Sequence, residues 1–365
     1  MSETNITIPL QSSIVKAAKF LETTQWPGGF WIDFELYVGM SNQWVTAYVA
    51  HCLARAVPGS PALAEAIAYL LRTELPASGW GFNRHVPPDG DSTANAVYLL
   101  ARYGRQSLES SDLLRFAQTL ASFQSESDGG FVTYKPRPVS PEEEKPAFMY
   151  EGSGWTISHL SVAGLAAVAL LAIDLSFPQA LFQPHRQKAA EYTRRMQEPG
   201  GYWEDHWWAD RVYGTYWAAR FLASNSPVAD QNDAARLERA KDWLAQVVYP
   251  DGAWGDGYGG LGGAFYTALA VSTLLLEAGC GVRLASESRF APLARRGLEC
   301  LLEMQDQDGG WPSVPMLLTP VPEVLVPWES QHPSSRQAVA DQNRLFTTAT
   351  ALAALARGQD WLARS

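Results

Sequence analysis

Two carboxylates one residue apart stand where a predicted helix begins, in the string Asp89-Gly90-Asp91-Ser92-Thr93-Ala94. The prolines at 87–88 favour a loop, whereas residues 94–103 are apolar enough to form a buried helix. Alone, such a string is ordinarily a helix N-cap. A carboxyl group buried among apolar residues, however, stays protonated at neutral pH and can serve as a general acid. We therefore predict that Asp91 donates a proton and that Asp89 tunes it.

The composition limits the class of protein. A chain of 365 residues that is 47% apolar and 18% charged is typical of a globular protein with several domains or an internal repeat. A net charge of −10 argues against nucleic acid as a partner. Cys52, Cys280 and Cys300 form no Cys-x-x-Cys pair, which excludes a cysteine-rich zinc site and fits a reducing compartment. Neither a signal peptide nor a membrane span is predicted, so we expect a cytoplasmic protein. We also expect that it needs no metal or cofactor.

A turn that combines glycine with an aromatic residue recurs six times, at intervals of 50–71 residues. Each turn follows an amphipathic segment and precedes a segment rich in Ala, Leu and aromatic residues. The first kind predicts outer helices near 12–24, 61–74, 111–124, 185–197, 233–248 and 290–305. The second predicts inner helices near 42–56, 92–104, 156–174, 212–223, 264–278 and 344–357.

Six such helical hairpins bury their inner helices by stacking side by side and closing into a ring. We therefore predict an all-α protein, a single (α/α)6 barrel over residues 1–365. Two insertions, 132–154 and 312–343, are predicted as loops. The second contains the apolar, proline-rich stretch 314–328, for which a lid over a pocket and a peripheral contact with a membrane surface are both open.

Four predicted outer helices end in glutamine just before the turn, at Gln25, Gln124, Gln197 and Gln305. A glutamine amide can bond the free carbonyls at a helix end and a neighbouring backbone donor. We interpret these glutamines and the turn aromatics as ties between repeats.

The turns near 124–131 and 305–311 resemble the Gln-x-x-Asp-Gly-Gly-Trp turns of the squalene–hopene cyclase and oxidosqualene cyclase family. The acid motif of these class II terpene cyclases, Asp-x-Asp-Asp-Thr-Ala at the start of an inner helix, matches residues 89–94. The middle aspartate is the family's proton donor, which implies this role for Asp91. Ser92 replaces the last carboxylate, a departure from the family pattern.

Two further matches follow in family order. Family members carry a histidine near the start of the next inner helix that bonds the acid, and His159 stands there. They also carry a tryptophan followed six residues later by Tyr-Gly-Thr, as do Trp207 and residues 213–215. Squalene–hopene cyclases have two barrels, so this chain is more similar to the single-domain cyclases of bacterial meroterpenoid pathways. That resemblance implies a hydrophobic substrate, a prenyl chain attached to an aromatic acid.

Aromatic walls suit a reaction through carbocations because the ring faces stabilise positive charge and the walls exclude water. Asn95 and Tyr98 lie four and seven residues after Asp91, on the same predicted helix face. The predicted catalytic residues are Asp91, Asp89, His159 and Tyr213. The predicted substrate-contacting residues are Trp207, Trp155, Tyr98, Asn95, Trp217, Trp44, Trp80 and Phe346.

Other functions stay open at this point. Asp91 paired with Glu204 or Asp256 would suit a glycoside hydrolase on the same barrel, and a non-catalytic binding module is a further alternative. Squalene or a prenyl diphosphate are alternative substrates for a cyclase. A protein prenyltransferase β-subunit is disfavoured because its Asp-x-Cys zinc pattern is absent.

Overall fold

The computed structural model describes residues 6–75, 79–136, 149–177, 179–224, 230–255, 262–277, 281–282 and 288–364. Residues 137–148 of the first predicted insertion, together with Asp256 and Cys280, lie outside the described residues.

Two sets of helices alternate along the described chain. The outer set is α1 (Thr7–Thr24), α3 (Pro61–Arg72), α5 (Ser110–Ala121), α7 (Gln183–Arg195), α9 (Asp233–Val247) and α11 (Ala291–Met304). The inner set is α2 (Gln43–Ala56), α4 (Gly90–Tyr103), α6 (Leu160–Asp174), α8 (Val212–Leu222), α10 (Ala264–Leu274) and α12 (Leu345–Leu362).

The inner helices form a closed ring. Each contacts the next, from α2 through α4, α6, α8 and α10 to α12, and α12 contacts α2. All residues of α6 and of α10 are buried, as expected for helices covered on every side. The predicted all-α barrel is confirmed.

Four short antiparallel strand pairs connect the helices. They are β1 (Asp33–Leu36) with β2 (Gly39–Ser41), β3 (Phe131–Val132) with β4 (Ser158–His159), β5 (Leu276–Glu277) with β6 (Gly281–Val282), and β7 (Leu317–Leu318) with β8 (Ala338–Val339). Two of them correct predicted boundaries. Helix α6 begins at residue 160 rather than 156 because β4 precedes it, and α10 ends at 274 rather than 278 because β5 follows it.

The turn glutamines tie neighbouring repeats together, as the sequence predicts, whereas the turn tryptophans form bonds within a repeat. In five turns a buried tryptophan indole donates to the carbonyl ten residues earlier, in the pairs Trp31–Leu21, Trp80–Leu70, Trp203–Thr193, Trp254–Leu244 and Trp311–Leu301. The glutamine amides donate to carbonyls of the following outer helix, in the pairs Gln25–Ala62, Gln124–His185, Gln197–Arg236 and Gln305–Ser13. The last of these pairs joins the sixth repeat to the first.

The second insertion folds over the end of the barrel where the inner helices begin. Leu318 donates its backbone N–H to the carbonyl of Trp207 at 2.8 Å, and Ala209 donates to that of Met316 at 2.8 Å. Gly154 of the first insertion donates to the carbonyl of Pro322. Within residues 314–328, Leu325 is 45% exposed, so part of this apolar stretch faces solvent. No helix in the described part of the chain is long and apolar enough to cross a membrane.

Candidate active site

The carboxylate pair stands at the start of α4. Asp89 is the N-cap, and its Oδ1 accepts the backbone N–H of Ser92 at 2.7 Å. The Ser92 hydroxyl donates to Oδ2 of Asp89, also at 2.7 Å. The serine that departs from the family motif therefore holds Asp89 in place. Asp89 has the capping role, and Asp91, two residues later, faces a cavity.

Burial determines the protonation of these acids. It raises the pKa of Asp91 well above its usual value, the charges of Asp89 and Asp205 raise it further, and the Trp44 indole opposes them. Burial also raises the pKa of Asp89 to about 7, against the bonds from Ser92 that favour its ionised form. Because like charges nearby disfavour a second carboxylate, Asp91 holds its proton at neutral pH.

A chain of polar side chains approaches Asp91 from inside the barrel. Asn95 donates from Nδ2 to the Asp91 carbonyl at 3.1 Å and lies 3.4 Å from its Oδ1. The side-chain amide oxygen of Asn95, Oδ1, lies 3.2 Å from Nε2 of His51. Burial and the charges of Arg220 and Arg357 lower the pKa of His51 to about 3, so it is neutral and donates from Nε2. The Asn95 amide donates to Oδ1 of Asp91, which leaves the Asp91 proton on Oδ2.

His159 does not bond the acid, and that expectation is corrected. Its Nδ1 lies 2.7 Å from the Thr133 hydroxyl and accepts the Trp207 indole N–H at 3.1 Å. Its Nε2 bonds the carbonyl of Gly154 at 2.8 Å. Both ring nitrogens are therefore engaged, and the pairing of β3 with β4 places His159 opposite Phe131, close to Thr133. Burial lowers its pKa to about 4, so a neutral His159 orients Trp207.

Asp91 faces a cavity of about 210 Å³. Its walls are mainly aromatic and aliphatic and include Trp44, Phe82, Tyr134, Trp155, Trp207, Trp208, Leu317 and Leu318. The rings of Trp155 and Trp207 meet edge to face at 5.5 Å, and the Trp155 indole donates to the Pro320 carbonyl at 2.7 Å. The structure thus brings together Asp89, Asp91, Trp44, Trp155 and Trp207.

Other predicted residues support this wall from behind. Tyr213 stacks on Trp208 with 3.6 Å between the ring centroids, and Trp217 meets Tyr213 edge to face with 6.3 Å between the centroids. Phe346 packs on Trp44 at 4.9 Å. Burial and then the charge of Asp91 raise the pKa of Tyr213 well above its usual value, so it is a neutral phenol beside the acid.

Two predicted residues lie elsewhere. Trp80 is a turn tryptophan that packs against Phe116 in the outer layer at 4.9 Å. Tyr98 accepts a hydrogen bond from Arg220 at 2.5 Å and lines a separate polar cavity. Although Tyr98 is on the helix of Asp91, seven residues correspond to about 10 Å along the axis, which places it toward the other end of the barrel.

Sequence reasoning missed Trp208, Thr133, His51 and Asp205. Trp208 is the neighbour of the predicted Trp207, and Asp205 is the neighbour of Glu204. In both cases the sequence pattern pointed to a residue one position away. Glu204 is paired with Arg211 at 2.7 Å, whereas the charge of Asp205 acts on Asp91. Thr133 and His51 depend on contacts between distant segments and carried no local signal.

Comparison with known proteins agrees with this geometry. The model of the squalene-hopene cyclase C-terminal domain matches residues 40–326. The chain belongs to this family. It is 25% identical over 266 residues to a squalene–hopene cyclase of Bradyrhizobium diazoefficiens, and the match covers 70% of the chain but only 38% of that relative.

Single-domain structures match over nearly their whole length. A variant of the type II terpene cyclase MstE from Scytonema, in complex with its product merosterolic acid A, is 25% identical. It superposes with a TM-score of 0.79, over 97% of this chain and 98% of that one. Another variant, in complex with the substrate geranylgeranyl dihydroxybenzoate, is 25% identical and has a TM-score of 0.78 over the same shares.

Proposed function

We propose that this protein is a class II terpene cyclase that protonates a linear prenyl chain attached to an aromatic acid and closes it into a fused polycycle. The observation that carries the proposal is the carboxyl group of Asp91 in the wall of an aromatic cavity, where burial raises its pKa well above the usual value. The substrate class is supported by the single-domain structure that binds geranylgeranyl dihydroxybenzoate.

The first step is proton transfer from Oδ2 of Asp91 to the terminal alkene of the chain. The Asn95 bond to Oδ1 directs the proton to the other oxygen. The position of Asp91 in the first turn of α4 favours the carboxylate that remains, because the helix N-terminus attracts negative charge. Burial keeps the acid protonated before the reaction, and the helix stabilises its conjugate base afterwards.

The next steps are ring closures through carbocations. Trp44, Trp155 and Trp207 present ring surface to the cavity, and each can stabilise a desolvated cation by about 2 kcal/mol. Strand β7 and the insertion around it cover the same space, which limits quenching by water. Loss of a proton from the last cation completes an isomerisation, so substrate and product have the same atoms.

A second cavity, of about 730 Å³, suits the head group. It adjoins the first at Trp208 and Leu318, which line both. Its lining includes Ser335, Arg336 and Gln337. The guanidinium group of Arg336 complements a carboxylate in charge and shape. We place the aromatic acid here and the end of the prenyl chain at Asp91.

Product analysis tests the proposal. Purified protein is incubated with farnesyl and geranylgeranyl dihydroxybenzoates, squalene and prenyl diphosphates, and products are identified by mass spectrometry and NMR. We expect a cyclic isomer from a prenylated aromatic acid. Cyclisation of squalene or a diphosphate alone would contradict the proposed substrate class, and sugar release from glycans would favour the glycosidase.

A further inference from the structure

A third cavity lies at the end of the barrel away from Asp91. It measures about 80 Å³, and its polar lining includes His51, Arg55, Tyr98, Arg102, Arg220 and Arg357. Arg55, Arg102 and Arg220 lie in the last turns of α2, α4 and α8. Since Arg102 follows Asp91 by eleven residues of one helix, about 16 Å of helix axis separates the two positions.

Four guanidinium groups converge on this space. Arg220 donates to the Tyr98 hydroxyl at 2.5 Å and to that of Tyr216 at 3.1 Å, and Arg357 donates to Tyr216 at 2.9 Å. Burial alone would raise the pKa of Tyr98, yet the four positive charges, that of Arg220 foremost, bring it below its usual value. The field inside the cavity is therefore strongly positive.

Negative charge on the described residues does not balance these cations. None of the residues that line the cavity is an acid. Asp360, which pairs with Arg55, supplies the one carboxylate among the described ion pairs of the four arginines. A single arginine at a helix C-terminus is explained by the helix dipole, but four around one space repel one another. An anion between them would remove that repulsion.

Some hydrogen-bond donors of these arginines also have no partner among the described residues. Nε of Arg55 is buried without a hydrogen-bond partner among the described residues. The side chain of Arg102 makes no hydrogen bond within the described part of the chain, although a guanidinium carries five donors. Because the planar donor groups of arginine match oxyanions, the cavity offers both charge and donors to a ligand of that type.

We propose that this cavity is a binding site for a small oxyanion of the phosphate or carboxylate type. Its size fits, since about 10–15 Å³ of such internal space holds one water molecule and the cavity therefore holds several waters or one small polyatomic anion. The site is separate from the cavity at Asp91, and the proposal is independent of the reaction that the protein catalyses.

Calorimetric titration of the intact protein tests the proposal. Sodium phosphate and sodium acetate are titrated separately, with chloride keeping the ionic strength constant. Arg102→Gln removes a cation from the rim, and Arg357→Gln removes a deeper one. Arg364→Gln is the matched control, because Arg364 is exposed and lies beyond the end of α12. Circular dichroism checks that each variant is folded.

Wild type and Arg364→Gln are expected to bind one anion with equal affinity. Arg102→Gln is expected to weaken binding about ten- to a hundredfold, the factor for one hydrogen bond to a charged group. If Arg357→Gln does not fold, the exposed Arg102 still decides the question. The anion that binds more tightly identifies the ligand as phosphate-like or carboxylate-like. Failure of both to bind wild type, or unchanged binding in Arg102→Gln, would overturn the proposal.

Discussion

At the scale of residues, the site divides two tasks between neighbouring carboxyl groups. Asp89 caps α4 and is fixed by two bonds from Ser92. Asp91 makes fewer bonds and faces the cavity, so its protonation is governed by burial and by the charge of its neighbour. The serine that replaces the family's third carboxylate is thus a structural partner of Asp89.

Replacing Asp89 by asparagine tests this division. The amide oxygen of Asp89→Asn can still accept the Ser92 N–H, but the negative charge that raises the pKa of Asp91 is removed. The reaction needs protonated Asp91, so activity falls as the pH rises through its pKa. We expect the alkaline limb of kcat/KM to move to lower pH. Glu126→Gln, at an exposed acid, serves as the control, and a limb that stays in place or moves upward would refute the coupling.

At the scale of elements, the position of the acid depends on how closely the start of α4 approaches β3. The Gly90 N–H donates to the Thr133 carbonyl at 2.7 Å. A Cβ atom at Gly90 would lie 2.3 Å from the carbonyl oxygen of Val132, a backbone atom. Glycine is therefore required there for contact rather than for an unusual backbone angle, since the φ of Gly90 is not in the left-handed region.

Gly90→Ala is expected to shift the first turn of α4 away from β3. Such overpacking costs about 1–3 kcal/mol of stability, and displacing a catalytic group by 1 Å can reduce the rate about a hundredfold. Gly59→Ala is the matched control, because nothing lies within 4 Å of a Cβ there. Thermal unfolding and kcat are measured for both, and a Gly90→Ala variant as active and stable as the control would contradict this explanation.

At the scale of the whole molecule, the ring is closed by contacts between the two ends of the chain. The Asp33 carboxylate in β1 accepts the backbone N–H groups of Asn343 and Leu345, each at 3.0 Å. These bonds join the first hairpin to the last. Closure leaves no inner helix with an open side, so the barrel is expected to unfold as one unit.

Asp33→Ala leaves these backbone donors without their acceptor inside the protein. We expect a loss of about 2–5 kcal/mol in the free energy of unfolding, since each unsatisfied buried group costs about 1–3 kcal/mol. Urea unfolding is followed by circular dichroism and by tryptophan fluorescence, and the two transitions should coincide. Glu35→Ala, at an exposed position of the same strand, is the control, and equal stability of the two variants would contradict the role of Asp33.

The sequence predicted the parts of this structure that depend on local pattern. Helical periodicity and the glycine–aromatic turns predicted the six hairpins, and the position of residues 89–94 at a helix start predicted a buried acid. The bond of His159 to Thr133 could not be predicted, because the pairing of β3 with β4 brings these distant residues together. Tyr98 was misplaced because a shared helix face does not imply a shared cavity when the residues lie two turns apart.

The most direct test of the central claim follows the proton from Asp91 to the substrate. Wild type and Asp91→Asn are compared in D₂O with geranylgeranyl dihydroxybenzoate as the probe, and circular dichroism confirms that both are folded. We predict that the wild-type product carries one deuterium bound to carbon, and that Asp91→Asn is slower by at least the 10²–10⁴-fold typical of a lost general acid. Equal turnover by Asp91→Asn, or a cyclic product without deuterium, would contradict the account.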